Sequence, residues 1–238
     1  MTKRKNKTQP EISISSFEKF HLNKVDFTEK QKNFYAMASD EKNKITFISG
    51  PAGSSKTFIS VYTALRMLSQ NHDLDLIYVR TIIESADKGL GALPGDLNEK
   101  FNPYMIPLME KLSEILPQNN TSKKDLLDGG RIDAMPINFL RGVSWLNKVV
   151  ILDEAQNATF KELTTLITRI GENCKLFICG DLMQSDINGK SGFKDMMNIF
   201  DDEESVENGI NCFRFNNSDI KRSRILKYII KKLAKNEK

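Results

Sequence analysis

Apolar residues along the chain fall in short, nearly unbroken runs: "KITFIS" at 44–49, "LIYVR" at 76–80, "KVVIL" at 148–152, "KLFIC" at 175–179 and "CFRF" at 212–215. Runs of this length between turn residues predict strands covered by helices on both faces. Between them the apolar residues recur at helical spacing. "FTEKQKNFYAMA" predicts a short amphipathic helix, "SKTFISVYTALRML" a longer one, and further helices are expected near 95–116, 159–170, 191–200 and 219–235. Strands alternating with helices predict a single α/β domain with a mostly parallel, doubly wound sheet and right-handed crossovers. The segment near 118–135, "QNNTSKKDLLDGGRIDAM", is polar with a Gly-Gly turn, and is expected to be an excursion from the sheet. No internal repeat is visible.

Composition changes this picture only at the ends. The chain has 238 residues and is 39% hydrophobic, enough for one sizeable core. Residues 1–24 are polar, lysine-rich and without periodicity, so a flexible basic arm is expected there, with the domain occupying 25–238. The formal charge is +4, but Lys3, Arg4, Lys5 and Lys7 open the chain and eight Lys or Arg lie between Lys221 and Lys238. An acidic run from Asp201 to Glu204 precedes that basic tail, whose helix is predicted to be solvent-facing or polyanion-binding. Cys174, Cys179 and Cys212 lack zinc-ligand spacing and read as reduced core residues. With no apolar stretch behind the basic start and no run of membrane-spanning length, a soluble cytoplasmic protein is expected.

The first candidate chemistry is "GPAGSSKT", residues 50–57, between a predicted strand and a predicted helix. It matches the phosphate-binding pattern G-x-x-x-x-G-K-[ST] except that Ser55 stands at the second glycine. In such a loop, backbone N–H groups of Gly50, Pro51, Ala52, Gly53, Ser54, Ser55 and Phe58 (proline excepted) and the helix N-terminus surround the phosphates. Lys56 reaches the β/γ-phosphates and the Thr57 hydroxyl faces Mg²⁺. A serine at 55 is costly if its φ is positive or its Cβ crowds the phosphate. The competing reading, a plain turn before a helix, leaves the next motif unexplained.

That motif is "VVILDEAQ", 149–156, an apolar strand ending in two acids. A P-loop enzyme needs one acid there for Mg²⁺, assigned to Asp153, and a base for the attacking water, assigned to Glu154. A cap for the helix after Thr159 is the plainer alternative. A third strand end, "FICGDLMQSD", places Gln184 in a loop where it can sense the γ-phosphate. Ligands of open parallel sheets bind outside the carboxyl ends of the strands, where all three loops would meet.

Several longer stretches make the resemblance specific. "RTIIESADKGLGALPGDLNEKFNPYMIPL" from Arg80, "RG" at Arg141–Gly142, "ILDEAQNAT", "LITRIGEN", "GDLMQSDI" and "SDIKRSRIL" join the P-loop from about Phe27 to Ile230. In these the chain resembles the PhoH family, single RecA-like ATPase cores related to superfamily 1 helicases. The resemblance implies ATP and Mg²⁺ as ligands. It sets Gln31 where the family has an adenine-recognising glutamine and Arg222 where it has an arginine like the helicase arginine finger. Arg80 and Glu84 match a stretch in the position of a nucleic-acid-contacting motif, and Arg169 matches a family arginine without an assigned role. The plainer alternatives are a helix cap for Gln31, an Arg80–Glu84 pair, and a solvated tail for Arg222. Three departures stand out: Ser55 for glycine, Thr81 for proline, and Ser223–Arg224 for His-Pro.

The expectation is therefore a Mg²⁺-dependent ATPase, helicase-like, with RNA or single-stranded nucleic acid as partner. One RecA-like core cannot alternate with a second lobe, so a homo-oligomeric ring or a switch is expected. The rivals are a nucleotide-dependent binding protein with little turnover and a P-loop small-molecule phosphotransferase, for which 118–135 would have to supply a lid.

Overall fold

The computed structural model describes residues 20–81, 97–118, 121–140, 145–184, 187 and 190–220, and of 97–104 and 121–122 the backbone only. Residues 1–19 of the predicted arm, the predicted C-terminal helix beyond Ile220, Glu84, Arg141 and Arg222 lie outside the described residues. Residues 20–24, expected to belong to the flexible arm, are instead docked: Phe20 and Leu22 pack on the core and the Asn23 N–H donates to the Ile115 carbonyl at 2.7 Å.

Six parallel strands form one sheet in the order β3-β2-β4-β5-β1-β6. They are β1 (Ile45–Ser49), β2 (Asp75–Arg80), β3 (Ile132–Pro136), β4 (Lys148–Asp153), β5 (Lys175–Gly180) and β6 (Ile210–Arg214). The helices are α1 (Glu29–Ser39), α2 (Lys56–Gln70), α3 (Leu97–Ile115), α4 (Thr121–Asp128), α5 (Phe160–Ile167), α6 (Phe193–Ile199) and α7 (Glu203–Glu207). The central strands bury almost every residue, as strands sandwiched between helix layers must. On one face Ile48, Tyr78, Ile151 and Phe177 pack with Phe34 of α1, Leu65 of α2 and Leu108 of α3. On the other, Phe47, Val150, Leu152 and Ile178 pack with Leu163 of α5, Phe193 of α6 and Trp145. Truncating a wholly buried aromatic such as Phe47 to alanine should cost about 3–5 kcal/mol.

One expectation is corrected. The 118–135 segment is not an excursion: it carries α4, turns at Gly130 with φ +69°, and enters the sheet as edge strand β3 beside β2. An edge strand buries alternate residues only, so "IDAMP" lacks the continuous apolar run that marks its neighbours. α7 was also unforeseen; it lies in the acidic run and is started by Asp202, whose carboxylate accepts from the Ser205 N–H at 2.7 Å.

Because every paired strand runs the same way, all carboxyl ends open on one edge of the sheet. β1, β4 and β5 are adjacent there, so the three motif-bearing loops are brought side by side.

Candidate nucleotide site

The β1–α2 loop wraps closely because of its glycines. A Cβ at Gly50 would lie 2.7 Å from Phe215 Cβ and 2.9 Å from Ser54 Oγ, and Gly53 has φ +81°. Ser54 ties the loop to itself, its N–H and hydroxyl both donating to the Pro51 carbonyl, at 3.1 and 2.8 Å. Ser55 is the residue before α2 and adopts φ +67°, ψ +22°, the left-handed region. The glycine conformation is thus retained without the glycine, at a cost of roughly 1–2 kcal/mol. Lys56 folds back onto the loop, donating to the Gly50 and Pro51 carbonyls at 2.5 and 3.1 Å. These are weak neutral acceptors that a phosphate can displace.

Asp153, at the end of β4, is buried and fully engaged. Thr57 Oγ1 donates to its Oδ1 at 2.7 Å, and Tyr78 Oη donates to its Oδ2 at 2.5 Å. The predicted metal-binding pair is therefore already in hydrogen-bond contact across 96 residues of sequence. Burial, and then the carboxylate of Asp153, push the Tyr78 phenol far above its ordinary pKa, so it stays a donor. The same causes push the Cys179 thiol up to about 12; it lies 3.3 Å from Ser60 Oγ at the cavity wall.

Glu154 follows with φ +56° and ψ +39°, the second non-glycine residue at this site in the left-handed region. Its backbone carbonyl accepts from Thr81 Oγ1 at 2.9 Å, and its carboxylate is held from two sides. Arg80 Nη2 lies 3.7 Å from Oε1, and Gln156 Nε2 donates to Oε2 at 2.6 Å. Gln156 is buried and its Oε1 accepts from the Asp181 N–H at 3.1 Å, so one amide joins the end of β4 to the end of β5.

A cavity of about 450 Å³ collects these groups: Ala52, Gly53, Ser55, Lys56, Thr57, Phe58, Asp153, Glu154, Gln156 and, from the β5 loop, Gly180, Asp181 and Gln184. Lys111 and Glu114 of α3, an ion pair at 3.2 Å, complete its wall. Gln184 is exposed and lines the cavity. Gln31 does not line it; its Oε1 accepts from the Thr28 N–H at 3.0 Å in a capping box that starts α1, the plainer of its two readings. Arg80 pairs with Glu154 and not with the cavity interior. Arg169 lies after α5, toward the opposite edge of the sheet, where its carbonyl accepts from the Trp145 N–H. Gln156, Tyr78, Thr81 and the Lys111–Glu114 pair were not anticipated.

Among the described residues, no group of three or more His, Cys, Asp or Glu is placed to hold a metal by itself. One carboxylate beside one hydroxyl, at the mouth of a phosphate loop, suits Mg²⁺, which keeps its waters and shares substrate phosphates.

The all-parallel sheet, the glycine loop leading into α2 and the Thr57–Asp153 contact define a P-loop domain of RecA-like fold. A family model described as PhoH-like protein matches residues 25–234, and the chain belongs to that family. It is 35% identical over 199 residues to a PhoH-like protein of Synechocystis, covering 83% of this chain and 58% of that one. It is 37% identical over 185 residues to Protein PhoH of Escherichia coli K12, covering 77% and 51%. The chain thus spans little more than half the length of these relatives. Among solved structures it resembles the large terminase of a thermophilic bacteriophage, at a TM-score of 0.52 and 11% identity, over 87% of this chain and 50% of the terminase. At that identity the likeness concerns the fold alone. Among the described residues, no helix is long and apolar enough to cross a membrane.

Proposed function

We propose that the chain binds Mg-ATP and hydrolyses it, with turnover coupled to RNA or another single-stranded nucleic acid in the cytoplasm. The observation that carries the reading is the convergence of Lys56, the Thr57–Asp153 pair, Glu154 and Gln184 on one cavity at the carboxyl edge of the sheet. Lys56 exchanges its loop carbonyls for the β/γ-phosphates, and Thr57 and Asp153 hold Mg²⁺, which neutralises charge on the phosphate oxygens when bound. Glu154 orients and deprotonates the attacking water, and Gln184 reads the γ-phosphate. The residues 50–58 supply N–H groups and the positive end of α2. Gln31 contacts the adenine only if its cap opens.

The nucleic-acid half of the proposal is supported by the basic ends of the sequence and by the helicase-like stretch containing Arg80 and Glu84. A ring in which Arg222 of one copy completes the site of the next would supply the transition-state charge that one core lacks. Mixing the inactive variants Arg222→Ala and Lys56→Ala would restore turnover in such a ring and in no monomer.

The deciding experiment is ATP hydrolysis measured with and without single-stranded RNA. No hydrolysis in either condition, with Mg-ATP bound, would leave the second reading, a nucleotide-controlled binding protein. That reading draws on the strained Ser55 and on a Glu154 carboxylate engaged from both sides. The phosphotransferase rival loses ground, since the end of its required lid, residues 132–135, belongs to strand β3 of the sheet.

A further inference from the structure

Arg80 ends β2 directly opposite Asp153 in the register of β2 and β4, yet its charge is not spent on Asp153. Both Asp153 oxygens are taken, by Thr57 and Tyr78, and the guanidinium lies instead against Glu154. Glu154 lines the cavity and Arg80 does not, so the pair draws the carboxylate toward the cavity rim. The side chains are 30% and 40% exposed, so a polyanion can reach Arg80 from outside without entering the cavity. The neighbouring Thr81 holds the Glu154 carbonyl, so two consecutive residues at the end of β2 control the conformation of the one residue assigned to activate water.

We propose that Arg80 is a latch on Glu154, released by the phosphodiester backbone of a single-stranded nucleic acid. With no phosphate on Arg80, the ion pair keeps the Glu154 carboxylate on the rim, turned away from the attacking water. A phosphate that takes the guanidinium, with better charge-assisted geometry than a contact at 3.7 Å, frees Oε1 of Glu154 for the attacking water while Gln156 keeps its hold on Oε2. The proton leaves water for Glu154 as the water oxygen bonds the γ-phosphorus and the bond to the β-phosphate oxygen breaks. A part-exposed ion pair is weak enough for a single phosphate contact to compete with it. The proposal rests on the ATPase reading above.

The test is steady-state hydrolysis by the full chain with and without oligouridylate, in wild type, Arg80→Ala, Arg80→Lys and the double variant Arg80→Ala/Glu154→Gln. Releasing the latch should raise the basal kcat of Arg80→Ala by about two- to fivefold, the range of a part-exposed pair, with KM for ATP changed less than about twofold. RNA should then stimulate it little. Arg80→Lys, which keeps a cation, should keep stimulation above that of Arg80→Ala, and the double variant should be inactive because the gain acts through Glu154. In the absence of ATP, Arg80→Ala should also make log K for oligouridylate against log salt shallower by about 0.7, one phosphate contact. A basal kcat at or below wild type, full stimulation of Arg80→Ala, or an unchanged salt slope overturns the latch while leaving the ATPase standing. Absence of hydrolysis by wild type under all conditions overturns both.

Discussion

Tyr78 donates its hydroxyl to Asp153 Oδ2 from the neighbouring strand, so the carboxylate assigned to Mg²⁺ is oriented by a phenol that the P-loop pattern does not include. The register explains the contact: Tyr78 pairs with Ile151, and Asp153 stands two residues further along the same face of β4. Burial and the nearby carboxylate keep the phenol protonated, which makes it a permanent donor.

Tyr78→Phe would remove that donor and leave one oxygen of a buried carboxylate unpaired. Hydrogen bonds to charged groups contribute about 1.5–3 kcal/mol, so stability should fall by an amount in that range. Freed to rotate, Asp153 should also hold Mg²⁺ less well; the Mg²⁺ concentration for half-maximal nucleotide binding should rise about tenfold. A Mg²⁺ titration of nucleotide binding in both proteins checks this, and an unchanged midpoint would mean Thr57 alone fixes the carboxylate.

Ser55 at φ +67° separates two effects of restoring glycine. Relief of the left-handed strain, about 1–2 kcal/mol, exceeds the extra unfolded-state entropy of glycine, about 0.5–1 kcal/mol, so Ser55→Gly should stabilise the free protein by roughly 0.5–1 kcal/mol. The loop already holds this conformation without nucleotide, so strain relief cancels from the binding constant. Any change in ATP affinity then reports only the space taken by Cβ and the hydroxyl. We expect tighter binding; weaker binding would show that the Ser55 hydroxyl contacts the phosphates. Thermal unfolding and ATP titration of the same variant measure both quantities.

The parts of this molecule legible in the sequence are those with short-range or strongly repeated signals. β1, β2, β4 and β5 announce themselves because strands buried on both faces must be apolar throughout, and the P-loop and Asp153–Glu154 stand at their ends. β3 was missed because an edge strand buries alternate residues, and α7 because an acidic run reads as solvated surface. Within the site, Gln156 is legible only as the last letter of "VVILDEAQ". Its bridge from Glu154 to the Asp181 N–H depends on β4 and β5 being neighbours, which strand order alone decides. Tyr78 looked like core for the same reason: its partner is 75 residues away.

Gln156 should behave as a positioning residue. Its amide holds the Glu154 carboxylate with one end and the Asp181 N–H with the other. Gln156→Ala should lower kcat by about 10- to 100-fold, as a base displaced by about 1 Å would, with ATP affinity nearly unchanged. Gln156→Glu keeps an acceptor for the Asp181 N–H but sets a second carboxylate against Glu154, so it should be slower still. If Gln156→Glu matched wild type, the role of Gln156 would lie with Asp181 alone.

Ionisable groups that are partly or wholly buried predict a stability curve that bends in alkali. Lys175 donates to the carbonyls of Ala38, Asp40 and Asn43, and burial followed by the charge of Lys44 lowers its pKa from 10.5 to about 8. Between those values the unfolded chain binds the proton and the folded one does not, so this residue makes stability rise with pH from about 8. Cys179 acts in the opposite sense. Its thiol is raised from 9.0 to about 12, so its contribution is complete below pH 9 and is lost as the pH climbs toward 12, at about 1.4 kcal/mol per pH unit once the unfolded thiol is ionised. Cys212, also raised to about 12, and Tyr78 act in the same sense as Cys179. Urea unfolding from pH 7 to 11 should therefore show a shallow maximum near pH 8–9 and then a steep fall. Lys175→Met should remove the rise, and Cys179→Ala should make the fall shallower when each variant is compared with its own stability at pH 7. A Cys179→Ala curve parallel to wild type above pH 9 would mean that the thiol ionises in the folded protein as readily as in the unfolded chain.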